Sequence, residues 1–208
     1  IKGVVVTRYG FGAKCQHIRV LESSHPVPDA AGLAAAKQLK AAVTGLTSND
    51  LVIALICGGG SALLPAPAGD LTLDDEIAVN KELLSSGAPI SVMNVVRKHI
   101  STIKGGRLAA LAFPARVVSL VVSDIPGDIA SQVASGPTLP DKMTRHDALK
   151  YIEQYRIKLP EAVMRHLQLH DAAAPMPDDP KFARNEVHVI ASSAVSLKAA
   201  ASEAGRLG

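Results

Sequence analysis

Tryptophan is missing from this 208-residue chain, and all aromatic residues together make up only 3% of it. Single-stranded nucleic acid is held largely by stacking on aromatic side chains, so that class of partner has little to stand on here. A strong charge of either sign is missing too: the formal net charge is +3, and the basic residues are scattered apart from one cluster near 97–107. This balance speaks against a nucleic-acid surface and for a small anionic ligand. Cysteine is scarce, with only Cys15 and Cys57, far apart and without partners at metal-ligand spacing, a usage that suits a reducing cytoplasm. No apolar run approaches the roughly 18 residues of a membrane span, and no signal peptide is visible.

The residues that are present suggest alternation of strand and helix. Apolar, β-branched runs at 3–7, 17–21, 50–56, 116–123 and 186–191 read as strands, and those at 51–56 and 117–122 lack the polar alternation of a half-exposed strand. Helical windows lie between them at 29–43, 72–86, 89–103, 144–155 and 160–169, with a last alanine-rich one over 193–205. Asp29, Thr72 and Thr144 stand as N-caps, and Thr144 with Asp147 has capping-box spacing. The expected fold is a three-layer, Rossmann-like α/β domain with a mostly parallel sheet and helices on both faces. In such folds ligands sit at the carboxyl ends of the strands. The Ala-, Pro- and Asp-rich segment 171–185 reads as an exposed loop or linker. The chain opens on Ile1 directly before a strand and closes on Gly-Arg-Leu-Gly, which reads as a fragment of a longer protein.

Chemistry concentrates where strands end. Cys57-Gly-Gly-Gly-Ser61 follows a buried strand, and its backbone N–H groups can form an anion nest with the Ser61 hydroxyl beside it. The lysine of a Walker A loop is absent; the plainer alternative is a tight turn that needs positive φ. Arg8-Tyr-Gly-Phe-Gly12 begins a G-x-G, but Cys15 occupies the third glycine position of a dinucleotide fingerprint. On the 89–103 helix, Asn94, Arg97, Lys98 and Ser101 form one polar stripe, opposite Val92, Val96, His99 and Ile103. With Lys104 and Arg107 just beyond, the stripe suits phosphate or carboxylate recognition, or else a solvated basic face. His99, on the apolar side, reads as a core histidine. Asp124 and Asp128 follow the second buried strand, where two carboxylates can hold Mg²⁺ or simply shape a turn. His25 faces the same rim from the loop after the second strand.

Taken together, Ser24–Gly32, Cys57–Leu64, Asn94–Ser101, Ile103–Ala109, Val122–Asp128 and Ala134–Asp141 resemble the glycerate 2-kinase family, many of whose members carry the older name hydroxypyruvate reductase. The resemblance runs almost from end to end. It implies ATP-dependent phosphorylation of D-glycerate at the 2-hydroxyl, with Mg²⁺, in a cleft between this α/β domain and a carboxyl-terminal one. Family proteins are about twice this length, so the resemblance implies that a first strand–helix unit bearing a lysine, and the whole second domain, lie outside the chain. Two departures stand out: Cys57 replaces a usual serine, and Ser193 a usual asparagine.

The roles expected from these motifs are as follows. Gly58, Gly59, Gly60, Ser61, Lys98 and Arg107 bind ATP phosphates or the acid; Lys104, Arg97 and Asp124 are catalytic. Asp124 and Asp128 hold Mg²⁺, and His25 and Asn94 line the substrate site. The partners implied are a small hydroxy acid and, with no nucleic acid or membrane, at most a second copy of the chain. An NAD(P)H-dependent hydroxypyruvate reductase and a non-catalytic sugar-acid binder are the competing readings.

Overall fold

The computed structural model describes residues 1–208. Five strands are all parallel to their neighbours, as the unalternating apolar runs predict, but they fall into two sheets. Strand β1 (Gly3–Arg8) pairs with β2 (Ile18–Ser23), and β3 (Leu51–Ile56), β4 (Arg116–Val122) and β5 (Glu186–Ala191) form the second sheet in that order. The first helix, α1 (Ala30–Val43), touches β1 and β2 and also joins the core under the second sheet through Ala36 and Val43.

Local chemistry sets the helix starts. The Asp29 side chain accepts from Gly32 N at 2.9 Å to cap α1. A four-residue turn of helix, α2 (Gly60–Leu63), follows the glycine run. Thr72 and Asp75 form a reciprocal capping box on α3 (Leu73–Ser85), with three acids in its first turn facing the positive end of the helix dipole. Next come α4 (Ile90–His99) and α5 (Arg107–Ala112), and then α6 (Arg145–Gln154) with the Thr144–Asp147 capping box. The last two are α7 (Glu161–Gln168) and α8 (Ser193–Leu207). No helix is long and apolar enough to cross a membrane.

Two cores result. Helices α1 and α5 cover one face of β3–β4, burying Ala36, Leu108, Ala109, Ala112 and Val117. The larger cluster contains no strand residue: Val79, Leu83, Val92, Val96, Ile152, Val163 and Leu167 bring α3, α4, α6 and α7 together. The other face of the three-stranded sheet leaves Leu51, Ile53, Leu55 and Val122 exposed, and α8 buries no residue. The face of this sheet that α1 and α5 cover is the opposite one.

Helix α4 ends four residues before the expected position 103. Ile100 leaves helical geometry so that the chain can run antiparallel past Pro67, with Thr102 N donating to Ala66 O and Ala68 N to Ile100 O. The polar stripe of α4 is not a solvated face either. Asn94, Lys98 and Ser101 are all buried, because α4 packs against α6 on one side and against the 130–135 segment on the other. Segment 171–185 contains two short 3₁₀ turns and is tied down at its start: Ala172 and Ala174 are buried, and Ala174 N donates to His99 Nδ1.

His99 is 1% exposed, and burial holds its pKa down to about 4, with the Ala172 carbonyl beside Nδ1 opposing because it favours the protonated ring. That lies below the unfolded value of about 6.5, so between these pH values the unfolded chain takes up the proton first and stability falls as pH falls. We expect unfolding free energy to drop by about 3 kcal/mol between pH 7 and pH 4 on this account alone. Urea melts of wild type and His99→Gln at both pH values check this: the variant should lose clearly less stability on acidification.

Candidate functional site

Three loops from the carboxyl ends of strands converge on the glycine run. After β3 the chain turns through Gly59 in left-handed geometry, φ 81°. A Cβ added at Gly58 would sit 1.7 Å from Asp124 Oδ2, one at Gly59 would lie 3.2 Å from His25 Nε2, and one at Gly60 would lie 2.9 Å from the Ala134 methyl. One positive-φ turn needs one glycine; three in a row are needed here because the loops after β2 and β4 and the 130–135 segment each press a side chain onto this backbone. The N–H groups of Gly58, Gly59, Gly60 and Ser61 find no acceptor within the protein. Four consecutive free donors on a bare, partly buried backbone make a nest for negative charge.

A small cavity of about 130 Å³ opens beside this turn. Gly58, Gly59, Ser61, Asn94, Arg97, Asp124, Gln132 and Ser135 supply its polar wall, and Ile90, Ile125 and Ala134 its apolar one. A broader depression of about 450 Å³, lined by Gly12, Ala13 and Lys14 of the loop after β1 and by Val20, Leu21 and Glu22 of β2, gathers none of these groups.

One of the four clustered cations faces the cavity. Arg97 is held by two neutral amides: its Nε donates to Asn80 Oδ1 at 2.8 Å and its Nη1 to Asn94 Oδ1 at 3.2 Å. Burial pushes its pKa below the ordinary value, with the more distant Glu76 charge opposing. A desolvated cation without an adjacent carboxylate is costly alone and favours an incoming anion. The other three cations are engaged elsewhere. Lys98, 2% exposed, pairs with Asp141. Lys104 meets Glu76 at 2.5 Å, with both side chains 3% exposed. Arg107 donates to the carbonyls of Ala172 and Ala173 at 3.0 Å each, anchoring the start of the 171–185 segment. These three hold the wall of the cleft together in this structure.

The carboxylates differ as well. Asp124 is exposed and lines the cavity, whereas Asp128, at φ 53°, does not line it and keeps a buried Oδ1 without a hydrogen-bond partner. No group of three or more His, Cys, Asp or Glu side chains gathers at metal-binding distance. Mg²⁺ needs only one or two protein carboxylates beside substrate phosphates and water, and the orphaned Asp128 oxygen is the kind of hard donor it takes. His25 is exposed and stands over Gly59, at the rim and outside the cavity lining.

Gln132, Ser135 and Asn80 are the contributors the motifs did not single out. Ser135 lies within the Ala134–Asp141 motif without a role, while nothing near Asn80 or Gln132 in the chain signals where they point. The Arg8–Gly12 loop settles one question of geometry: it leads from β1 into β2, not into the helix that a dinucleotide fingerprint requires.

Comparison with known proteins agrees with the motif reading. The chain is 50% identical over 208 residues to an Agrobacterium vitis protein named "Putative hydroxypyruvate reductase", covering 100% of this chain and 53% of that one. It is 40% identical over 210 residues to the glycerate 2-kinase of Pyrococcus horikoshii, covering 99% of this chain and 47% of the relative. The crystal structure of glycerate kinase from Thermotoga maritima matches with a TM-score of 0.82 at 40% identity, over 91% of this chain and 44% of that one. The chain thus spans about half the length of the curated relatives it matches. The family described as "Domain of unknown function (DUF4147)" matches residues 1–168, and the chain belongs to that family, in the company of the glycerate kinases its motifs resemble.

Proposed function

We propose that the chain is the amino-terminal-type half of a D-glycerate 2-kinase, which moves the γ-phosphoryl group of ATP to the 2-hydroxyl of D-glycerate. The observation that carries this reading is the meeting of four unpartnered backbone N–H groups, a cation without a carboxylate and an exposed aspartate at one strand-end cleft. Phosphoryl transfer asks a protein mainly for positioning and charge neutralisation, and this cleft offers both.

Gly58 to Ser61 would hold anionic oxygens of the reactants. Arg97 would offset negative charge on the bound acid. Asp124 would take the proton of the substrate hydroxyl as the new P–O bond forms and ADP leaves. Asp124 and Asp128 would hold Mg²⁺, which when bound neutralises charge on the phosphates. His25 would close the rim. Lys98, Lys104 and Arg107, each with protein partners, would keep the cleft wall in register rather than touch ligand. A small hydroxy acid as substrate and a cytoplasmic setting belong to the same reading.

The name of the Agrobacterium relative keeps a second reading in view, a reductase of hydroxypyruvate. Two coupled assays on the full-length protein separate them. Release of ADP that requires both D-glycerate and ATP supports the kinase; oxidation of NAD(P)H with hydroxypyruvate, without ATP turnover, overturns it.

A further inference from the structure

We infer that Asn80, on α3 and outside the cavity, together with Asn94 on α4, positions Arg97 to receive the carboxylate of the acid substrate. This inference rests on the proposed kinase reading and names the subsite within it. An asparagine side chain has two donor hydrogens and an oxygen that accepts two hydrogen bonds. Asn94 is 4% exposed and spends all of them. Its Nδ2 donates to Gln132 O at 3.1 Å and Gln132 Oε1 at 3.0 Å, and its Oδ1 accepts from Arg97 Nη1 at 3.2 Å and Ser135 Oγ at 2.9 Å. No capacity remains for substrate, so Asn94 serves the cleft through Arg97.

Asn80 completes the grip. Its Nδ2 donates to the Glu76 carbonyl at 3.0 Å, which leaves Oδ1 to accept from Arg97 Nε at 2.8 Å. The guanidinium has five N–H groups, of which these two amides occupy two. The three that remain belong to the two terminal nitrogens, the pair that meets a carboxylate as a fork. The cavity they serve is also lined by Gly58, Gly59, Ser61 and Asp124, so an acid held by the fork lies beside the glycine turn.

The test is steady-state kinetics and calorimetry on the full-length protein, wild type and Asn80→Ala. Freed from Asn80, the guanidinium still carries its charge but loses its aim. KM for D-glycerate should rise roughly tenfold, while kcat and KM for ATP stay within about threefold. A role in folding alone would not separate the two substrates. An unchanged KM for D-glycerate, or an equal rise for both substrates, overturns the inference. Should Asn80→Ala fail to fold, the isosteric Asn80→Asp takes its place: it keeps an acceptor for Nε but sets a negative charge beside Arg97, and KM for D-glycerate must again rise. If the wild-type protein makes no ADP from D-glycerate and ATP, the kinase reading fails by itself. Titration with D-glycerate then decides the positioning: about tenfold weaker binding by the variant supports it, and equal binding, or none by either protein, overturns it.

Discussion

Replacing Lys104 with methionine should lower the unfolding free energy by about 3–5 kcal/mol, an effect on the fold before any effect on chemistry. Lys104 and Glu76 are each 3% exposed, and their ammonium and carboxylate lie 2.5 Å apart. Removing one charge strands the other in a medium that cannot solvate it. Glu76 does more than balance Lys104, because its Oε2 also accepts from Ala66 N at 2.9 Å. A repair must therefore keep an acceptor at position 76. The double variant Glu76→Gln/Lys104→Met keeps one, removes both charges, and should recover most of the loss. Urea denaturation of wild type, the single variant and the double variant measures this directly. A Lys104→Met protein as stable as wild type but inactive would return Lys104 to the catalytic role its motif suggested.

The second large effect is expected at Gly58. Alanine there puts a methyl carbon 1.7 Å from Asp124 Oδ2, nearer than any real contact. Asp124 is exposed, so it can swing away at little cost to the core. The fold should survive with a small change in melting temperature. The aspartate, however, would leave its place beside the nest, and a displacement of about 1 Å at a reacting group is enough to cost about 100-fold in rate. Turnover of the full-length Gly58→Ala protein should fall by at least that factor while circular dichroism stays native. Near-normal turnover would remove Asp124 and the glycine turn from the reaction together.

What could be read from the chain alone divides by distance along it. Caps are local, and Thr72 with Asp75, Thr144 with Asp147, and Asp29 with Gly32 lie where three-residue spacing puts them. The strand-end position of the glycine run was equally legible, since an apolar β-strand run followed by three glycines says where a sheet meets its ligand edge. The duties of the cations were not. Lys98, Lys104 and Arg107 look alike in a basic cluster, but their partners Asp141, Glu76 and Ala172 stand 43, 28 and 65 residues away. Only the fold brings those together, and in this structure each of the three cations meets a protein partner. The end of α4 was misjudged for a related reason: Ile100 and Thr102 give up helical hydrogen bonds for partners at Ala66 and Ala68, which no helical periodicity reveals. Asn80 stayed hidden because a mid-helix asparagine carries no signal until Arg97 is seen against it.

The central claim is that this cleft serves transfer of phosphoryl to the 2-hydroxyl of D-glycerate. Phosphorus NMR of the full-length protein incubated with D-glycerate, ATP and Mg²⁺ tests it most directly. The account predicts a resonance of 2-phosphoglycerate growing in step with ADP; ATP left intact with no new phosphate-ester resonance would contradict it.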